Sequence, residues 1–258
     1  VSEAIYLPDG PERVLPTELA RGPWDPDAQH GGAPAALLAR AAERADPAGM
    51  TIVRLSYEFL RPVPLAPLDV RIRLLRPGRR VQLVGASLHA GEDEVARVTA
   101  LRIRGDDVPA PPPAVEALPA GPEQGVLLEA PSERPTSFAW NAMEIRFIAG
   151  SFWEVGPSSA WFRLRRPLVA GEDPSPLQRL AAAGDFGNGI ATAVSWRTHV
   201  FINPDLTLYV ERPPAGEWIG LDAQTRLNTS GSGVSDSVLF DEQGRVGRAQ
   251  QGLYVAER

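Results

Sequence analysis

Apolar and polar residues alternate over most of this chain, and helix-length spacing interrupts the alternation only twice. Val53, Leu55 and Tyr57 alternate with polar neighbours, as do Val70, Ile72 and Leu74. Val81, Leu83 and Val84 follow, then the run from Val95 to Ile103. A period of two predicts strands with one face buried. Gly78-Arg79-Arg80 and Gly91-Glu92-Asp93 read as hairpin turns between them. Ahead of these strands, Leu37, Leu38 and Ala41 recur at helical spacing and predict a helix over Ala33 to Ala45. It starts after Gly31-Gly32 and ends at Asp46-Pro47-Ala48-Gly49. A short opening strand is predicted within 13–24, ending at Trp24.

The second half repeats this plan. Strands are predicted for Ala142 to Phe147 and for Ser159 to Arg165, the latter largely buried because it carries Trp161, Phe162 and Leu164. Ser175 followed by Pro176 is a good helix start, and that helix is expected to run to about Ala183 and stop at Gly184. Strands return at Thr198 to Ile202, Leu206 to Glu211, Trp218 to Leu227, Gly233 to Phe240 and Val246 to Val255, with a turn at Asp241 to Gly244. Phe59-Leu-Arg-Pro62 in the first half matches Phe201-Ile-Asn-Pro204 in the second, and Val95-Ala-Arg97-Val-Thr99 matches Val246-Gly-Arg248-Ala-Gln250. An internal duplication is therefore expected, with a site at the seam between its halves. A Pro/Ala-rich stretch, Val108 to Pro113 and Leu118 to Pro122, cannot donate regularly to a sheet and reads as a linker. The expected division is a first unit over 1–106, a linker over 107–133 and a second unit over 134–258. Strand-rich halves with one long helix each belong to the α+β class.

Composition removes several chemistries. A formal net charge of −6 argues against a nucleic-acid partner. All 26 basic residues are arginine, so Schiff-base chemistry and a phosphate-loop lysine are out. With no cysteine there is no thiol nucleophile, disulfide or thiolate metal site. The first residues lack the basic start and apolar core of a signal peptide, and no apolar run is long enough to span a membrane. The expectation is a soluble, cytoplasmic protein with no membrane partner.

No Gly-x-Ser-x-Gly elbow occurs, and Ser230 and Ser232 sit in a Gly/Ser turn. His30, His89 and His199 are scattered and do not form a metal-binding motif, so no metal is expected. Gly187-Asn-Gly189 resembles the opening of a dinucleotide fingerprint, but the third glycine and the strand-turn-helix context are missing. Carboxylate chemistry remains. Asp205 lies in a largely apolar context, Gln250 within the strand from Val246 to Val255, and Thr225 within the strand from Trp218 to Leu227. Each also fits a plain role: a turn aspartate beside proline, a solvent-facing glutamine, and a threonine chosen for strand propensity. Their placement on three neighbouring strands is what points to a site.

At these residues the chain resembles the double hot-dog thioesterases, specifically the acyl-CoA thioesterase II family and its actinobacterial relatives. The resemblance rests on Trp24 to Leu38 with Gln29-His-Gly-Gly32, Phe59 to Pro64, Gly78 to Val81, Asn203-Pro-Asp205 through Arg212-Pro213, Glu217-Trp218 and Asp241 to Val255. It implies two helix-wrapped antiparallel sheets in tandem, joined edge to edge. It also implies a thioester hydrolase of fatty acid metabolism that needs no cofactor, acts on acyl-CoA or another thioester and forms a homo-oligomer. The family uses an Asp, a Ser or Thr, and a Gln to hold and activate water. These fall on Asp205, on Thr225 with Thr229 as competitor, and on Gln250. Gly31 and Gly32 at a helix start, and the segment Asp185, Phe186 and Gly187, are the implied oxyanion or acyl contacts. Two departures are Leu206, where the family often has His, and a loop one residue short before Glu217-Trp218. A non-catalytic acyl-binding protein on the same fold is the alternative reading. An enoyl-CoA hydratase is a third, for which none of the three histidines sits at the matching position.

Overall fold

The alternating segments are strands in the computed structural model, which describes residues 3–45, 49–106, 109, 116–131 and 133–258. In the first half these are β1 (Tyr6–Pro8), β2 (Arg13–Pro16), β3 (Thr51–Phe59), β4 (Leu68–Arg76), β5 (Val81–Ala90) and β6 (Asp93–Ile103). In the second they are β7 (Val126–Leu127), β8 (Met143–Ala149), β9 (Ser158–Leu164), β10 (His199–Ile202), β11 (Asp205–Val210), β12 (Ile219–Leu227), β13 (Ser232–Asp241) and β14 (Gly244–Glu257). The helices are α1 (Gly32–Arg44), α2 (Pro176–Gly184) and the short α3 (Gly187–Ile190).

The strands form one 14-stranded antiparallel sheet in the order β1-β2-β4-β5-β6-β3-β11-β14-β13-β12-β9-β8-β7, with β10 beside β11 on β14. The halves meet at β3 and β11, where Asp205 faces Glu58 and Leu208 faces Leu55. This edge-to-edge join is what the resemblance implies for an α+β chain of this kind. Both halves also carry a β-bulge at the same place. Leu88 pairs with Ala96 but His89 with Glu94, leaving Val95 over; Leu239 pairs with Gly247 but Phe240 with Arg245, leaving Val246 over. A shared irregularity of this kind supports the duplication more firmly than the short matching motifs do.

Helices α1 and α2 lie antiparallel on the sheet. Glu43 near the end of α1 accepts from the α2 cap Ser175 at 2.8 Å and from Gln178 at 2.9 Å. Arg40 makes a two-pronged ion pair with Glu172 at 2.6 and 2.7 Å. The helices pack closely because their shared face is alanine and glycine: a Cβ on Gly32 would sit 2.6 Å from the Ala182 carbonyl oxygen. The end of α2 is thereby brought to the start of α1, and this is what builds the site.

Three expectations need correction. The opening strand stops at Pro16, because Thr17 caps a short 3-10 turn over Glu18–Ala20, so Trp24 lies in a loop. The second half has no single long helix: α2 ends at Gly184, and α3 begins only after Asp185 and Phe186. The segment 116–131 is not free of the second half. Trp161 Nε1 donates to the Ala120 oxygen at 2.8 Å, and Arg245 N donates to the Glu116 oxygen at 2.9 Å. Residues 46–48, expected to end the first helix, and most of the expected linker around 107–115 lie outside the described residues.

Candidate active site

A pocket of about 420 Å³ opens at the seam, with walls from both halves. Trp24, His30, Gly31 and Phe59 come from the first half, and Asp185, Asn188, Asn203 and Gln251 from the second. Part of the apolar wall is aromatic. Trp24 stacks on Trp196 at 4.8 Å, and Phe201 stands edge-on to Trp196 at 4.4 Å.

At the polar end, the Asp185 side chain is 4% exposed and reaches the start of α1. A Cβ on Gly31 would lie 2.7 Å from Asp185 Oδ2, so only glycine lets the carboxylate come this close. The positive end of α1 favours an anion there. Asp185 Oδ1 accepts from Asn203 Nδ2 at 2.8 Å and from Gln251 Nε2 at 3.1 Å. Oδ2 faces His30 Nδ1 at 3.2 Å. The same His30 nitrogen accepts from the Gly32 N–H at 3.0 Å, and the ring stacks on Phe186 at 4.5 Å.

Gln251 does more than hold the carboxylate. Its Nε2 also donates to the Asp185 carbonyl at 2.9 Å, and its Oε1 accepts from the Asn188 N–H at 3.1 Å. One side chain thus satisfies backbone groups on both sides of the break between α2 and α3, groups an unbroken helix would have paired internally. Thr225 Oγ1 donates to Asn188 Oδ1 at 3.3 Å. Thr225, Ser235 and Gln251 form one row across β12, β13 and β14, since Thr225 pairs with Ser235 and Ser235 with Gln251. All three are buried.

The structure gathers part of the expected set and leaves part out. Gly31 and Asp185 line the pocket, and Gly32, Phe186, Gly187 and Thr225 pack directly behind it. Thr229, the competitor, lies in the turn after β12. Gln250 and Asp205 are not at the pocket. Gln250 is exposed and donates to Asp236 Oδ1 at 3.3 Å on the outer face. Asp205 Oδ1 accepts from the Gly252 N–H at 2.6 Å, which ties the start of β11 to β14. The glutamine assignment fails by one residue for a definite reason. Counting inward positions by twos from Val246 reaches Gln250, but the bulge at Val246 flips the faces, and counting back from Val255 reaches Gln251. His30, Asn188, Asn203 and Gln251 were not singled out from sequence. Gln251 alone carried a readable signal, since Val246 and Val255 cannot both face inward on a regular strand.

Among the described residues no group of three or more His, Cys, Asp or Glu could hold a metal ion, and no helix is long and apolar enough to cross a membrane.

Comparison with known proteins bears on the family and the fold. Residues 20–103 match the family model for the acyl-CoA thioesterase N-terminal domain, and residues 112–255 match that for the C-terminal domain. Among solved structures, a conserved protein with a hot dog fold from Alicyclobacillus acidocaldarius is 17% identical, with a TM-score of 0.77 and coverage of 98% of this chain and 97% of that one. The acyl-CoA thioesterase II TesB2 from Mycobacterium marinum is 17% identical, with a TM-score of 0.66 and coverage of 93% and 96%. The tesB protein from Mycobacterium avium subs paratuberculosis is 15% identical, with a TM-score of 0.67 and coverage of 97% and 96%. At these identities the structural likeness shows the hot-dog fold. No curated protein matches the chain in sequence.

Proposed function

This chain belongs to the acyl-CoA thioesterase family, and on that footing we propose that it hydrolyses an acyl-CoA thioester with water activated by Asp185. The observation that carries this reading is the Asp185 carboxylate at the pocket's polar end, with Oδ1 taken by two amide donors and Oδ2 turned toward the start of α1. Oδ2 accepts a proton from water as the water oxygen attacks the thioester carbonyl carbon. The carbonyl oxygen becomes negative and is met by N–H donors aimed at it. Gly31 lines the pocket, and its N–H makes no hydrogen bond to a described residue. When the tetrahedral centre collapses, the carbon–sulfur bond breaks and the proton held by Asp185 goes to the leaving thiolate. The products are the carboxylic acid and the thiol. Gln251 and Asn203 act on the geometry, by fixing the carboxylate.

A chain-length panel of acyl-CoA thioesters, with thiol release as the readout, tests the proposal. Wild type is expected to turn over part of the panel, Asp185→Asn to lose activity, and Asp205→Asn to keep it. Equal background rates for wild type and Asp185→Asn across the panel would sink the reading. An enoyl-CoA hydratase is the second reading, and one observation favours it: His30 and Asp185 lie within 3.2 Å. Water addition to a short enoyl-CoA without thiol release would select it.

A further inference from the structure

Two polar side chains of the buried row, Gln251 and Thr225, are spent on the protein. Gln251 donates to Asp185 and accepts from the Asn188 N–H, and Thr225 donates to Asn188. Thr225 does not line the pocket; Asn188 stands between it and the cavity. Asn188 is 8% exposed, and the Thr225 bond to its Oδ1 turns its Nδ2 amide away from the row. That Nδ2 makes no hydrogen bond to a described residue and is not among the sealed polar atoms, so its exposed edge is the pocket. A donor open to the pocket and unused by the protein is available to a polar group of whatever the pocket holds.

The neighbouring glycine explains how Asn188 gets there. A Cβ on Gly187 would sit 2.7 Å from Ser237 Oγ and 3.1 Å from Gln251 Oε1, so any side chain would lift α3 off the sheet. Gly187-Asn-Gly189, which has no place in a dinucleotide site, finds its use here.

We propose that Asn188 is a catalytic residue of this site. Its Nδ2 donates to the thioester carbonyl oxygen as negative charge develops there, and Thr225 is the positioning residue that orients it. The inference rests on the thioester reading of the pocket but can be tested without turnover. Two non-hydrolysable acyl-CoA analogues serve as probes: one with the thioester sulfur replaced by a methylene so that a ketone remains, and its counterpart without the carbonyl. Wild type is expected to bind the ketone more tightly than the counterpart. Asn188→Ala is expected to cut that preference about tenfold while leaving the counterpart's affinity unchanged. Thr225→Val should cut it less, Thr225→Ser should restore it, and Thr225→Val with Asn188→Ala should be no worse than Asn188→Ala alone. If Asn188→Ala does not fold, Asn188→Asp has nearly the same shape and still accepts from Thr225, but it replaces the donor with a carboxylate oxygen and adds a negative charge, so its loss of ketone affinity is read against its affinity for the carbonyl-free counterpart. An unchanged ketone preference in the Asn188 variant, no preference in wild type, or additive losses in the double variant overturns the proposal. Whether wild type hydrolyses any thioester is a separate result, and it judges the thioester reading alone.

Discussion

The two halves of the chain place different residues at the same positions of the same sheet. With Arg97 matched to Arg248, Ala100 corresponds to Gln251, Val84 to Ser235 and Leu74 to Thr225. Leu74 pairs with Val84 and Val84 with Ala100, as Thr225 pairs with Ser235 and Ser235 with Gln251. One row is apolar throughout and the other polar throughout. The helix above each row accounts for the difference. Over the first half α1 runs unbroken for 13 residues and pairs its own backbone, so the buried Val84 and Ala100 need only fill space, and Leu74 at the end of the row is exposed. Over the second half the helix breaks at Asp185, and buried backbone groups there need partners from the sheet. The polar row and the broken helix require each other, and together they hold a carboxylate in a pocket.

The opposite ends of the same helices make the comparison sharper. A hollow of about 350 Å³ lies there, with Glu43 in its wall. Ser175 and Gln178 take the Glu43 carboxylate. Of these two hollows, the one at the seam has a carboxylate beside a pocket-facing amide.

The largest expected effect is at the carboxylate. Asp185→Asn should lower kcat for thioester hydrolysis by about 10²–10⁴-fold with little change in the melting temperature. Next comes the row. Gln251→Ala, which copies Ala100, should cost roughly 10²-fold in kcat because the carboxylate loses its register, whereas Gln250→Ala should stay within about twofold. A larger loss from Gln250→Ala would break the assignment of faces. The converse exchange, Ala100→Gln, should bring no activity and cost about 1–3 kcal/mol in a denaturant titration, since no broken helix is there to receive the amide.

A smaller effect separates two arginines that the strand register puts at corresponding positions, since Phe59 pairs with Ala96 as Val210 pairs with Gly247. Arg61 meets Asp93 at 3.4 Å with both side chains exposed, and Arg212 clasps the buried Asp241 at 2.6 Å. Burial works to raise the Asp241 carboxyl, but Arg212 and the N–H groups of Ala215 and Gln243 outweigh it and hold the group below its ordinary value. A carboxyl lowered in the folded state adds stability above its unfolded value, and that stability is lost as pH falls through the folded one. Arg212→Ala should therefore cost roughly 1–2 kcal/mol at neutral pH, discounted because the arginine is partly exposed, and less as pH drops below the carboxylate range. Arg61→Ala should change stability by less than about 0.5 kcal/mol at any pH. The smallest expected effect is Glu43→Gln, with thioester turnover per folded molecule within about twofold of wild type; a large loss would mean that the second cavity takes part in the chemistry.

Much of this was legible along the chain. The strands came from period-two alternation, α1 from Leu37, Leu38 and Ala41, the α2 start from Ser175-Pro176, and the doubling from the match of Val95 to Thr99 with Val246 to Gln250. These are local properties, set by side-chain spacing and capping within a few residues. The other motif match does not hold, since the register sets Phe59 to Pro62 against Val210 to Pro213 and not against Phe201 to Pro204. Thr225 is picked out by the family resemblance, and the regular pairing of its strand sets it on the row behind the pocket. Tertiary structure alone decided that Asp185 rather than Asp205 faces the pocket, because that depends on two antiparallel helices carrying the end of one to the start of the other. Between Gln250 and Gln251 the sequence shows only that Val246 and Val255 cannot both face inward on a regular strand; where the bulge falls is settled by how the strand pairs with its neighbour. The sequence by itself determined two helix-bearing sheets and a supply of polar residues. Packing between distant segments chose which of those residues meet, since a carboxylate's partners lie up to 66 residues away along the chain even within its own half.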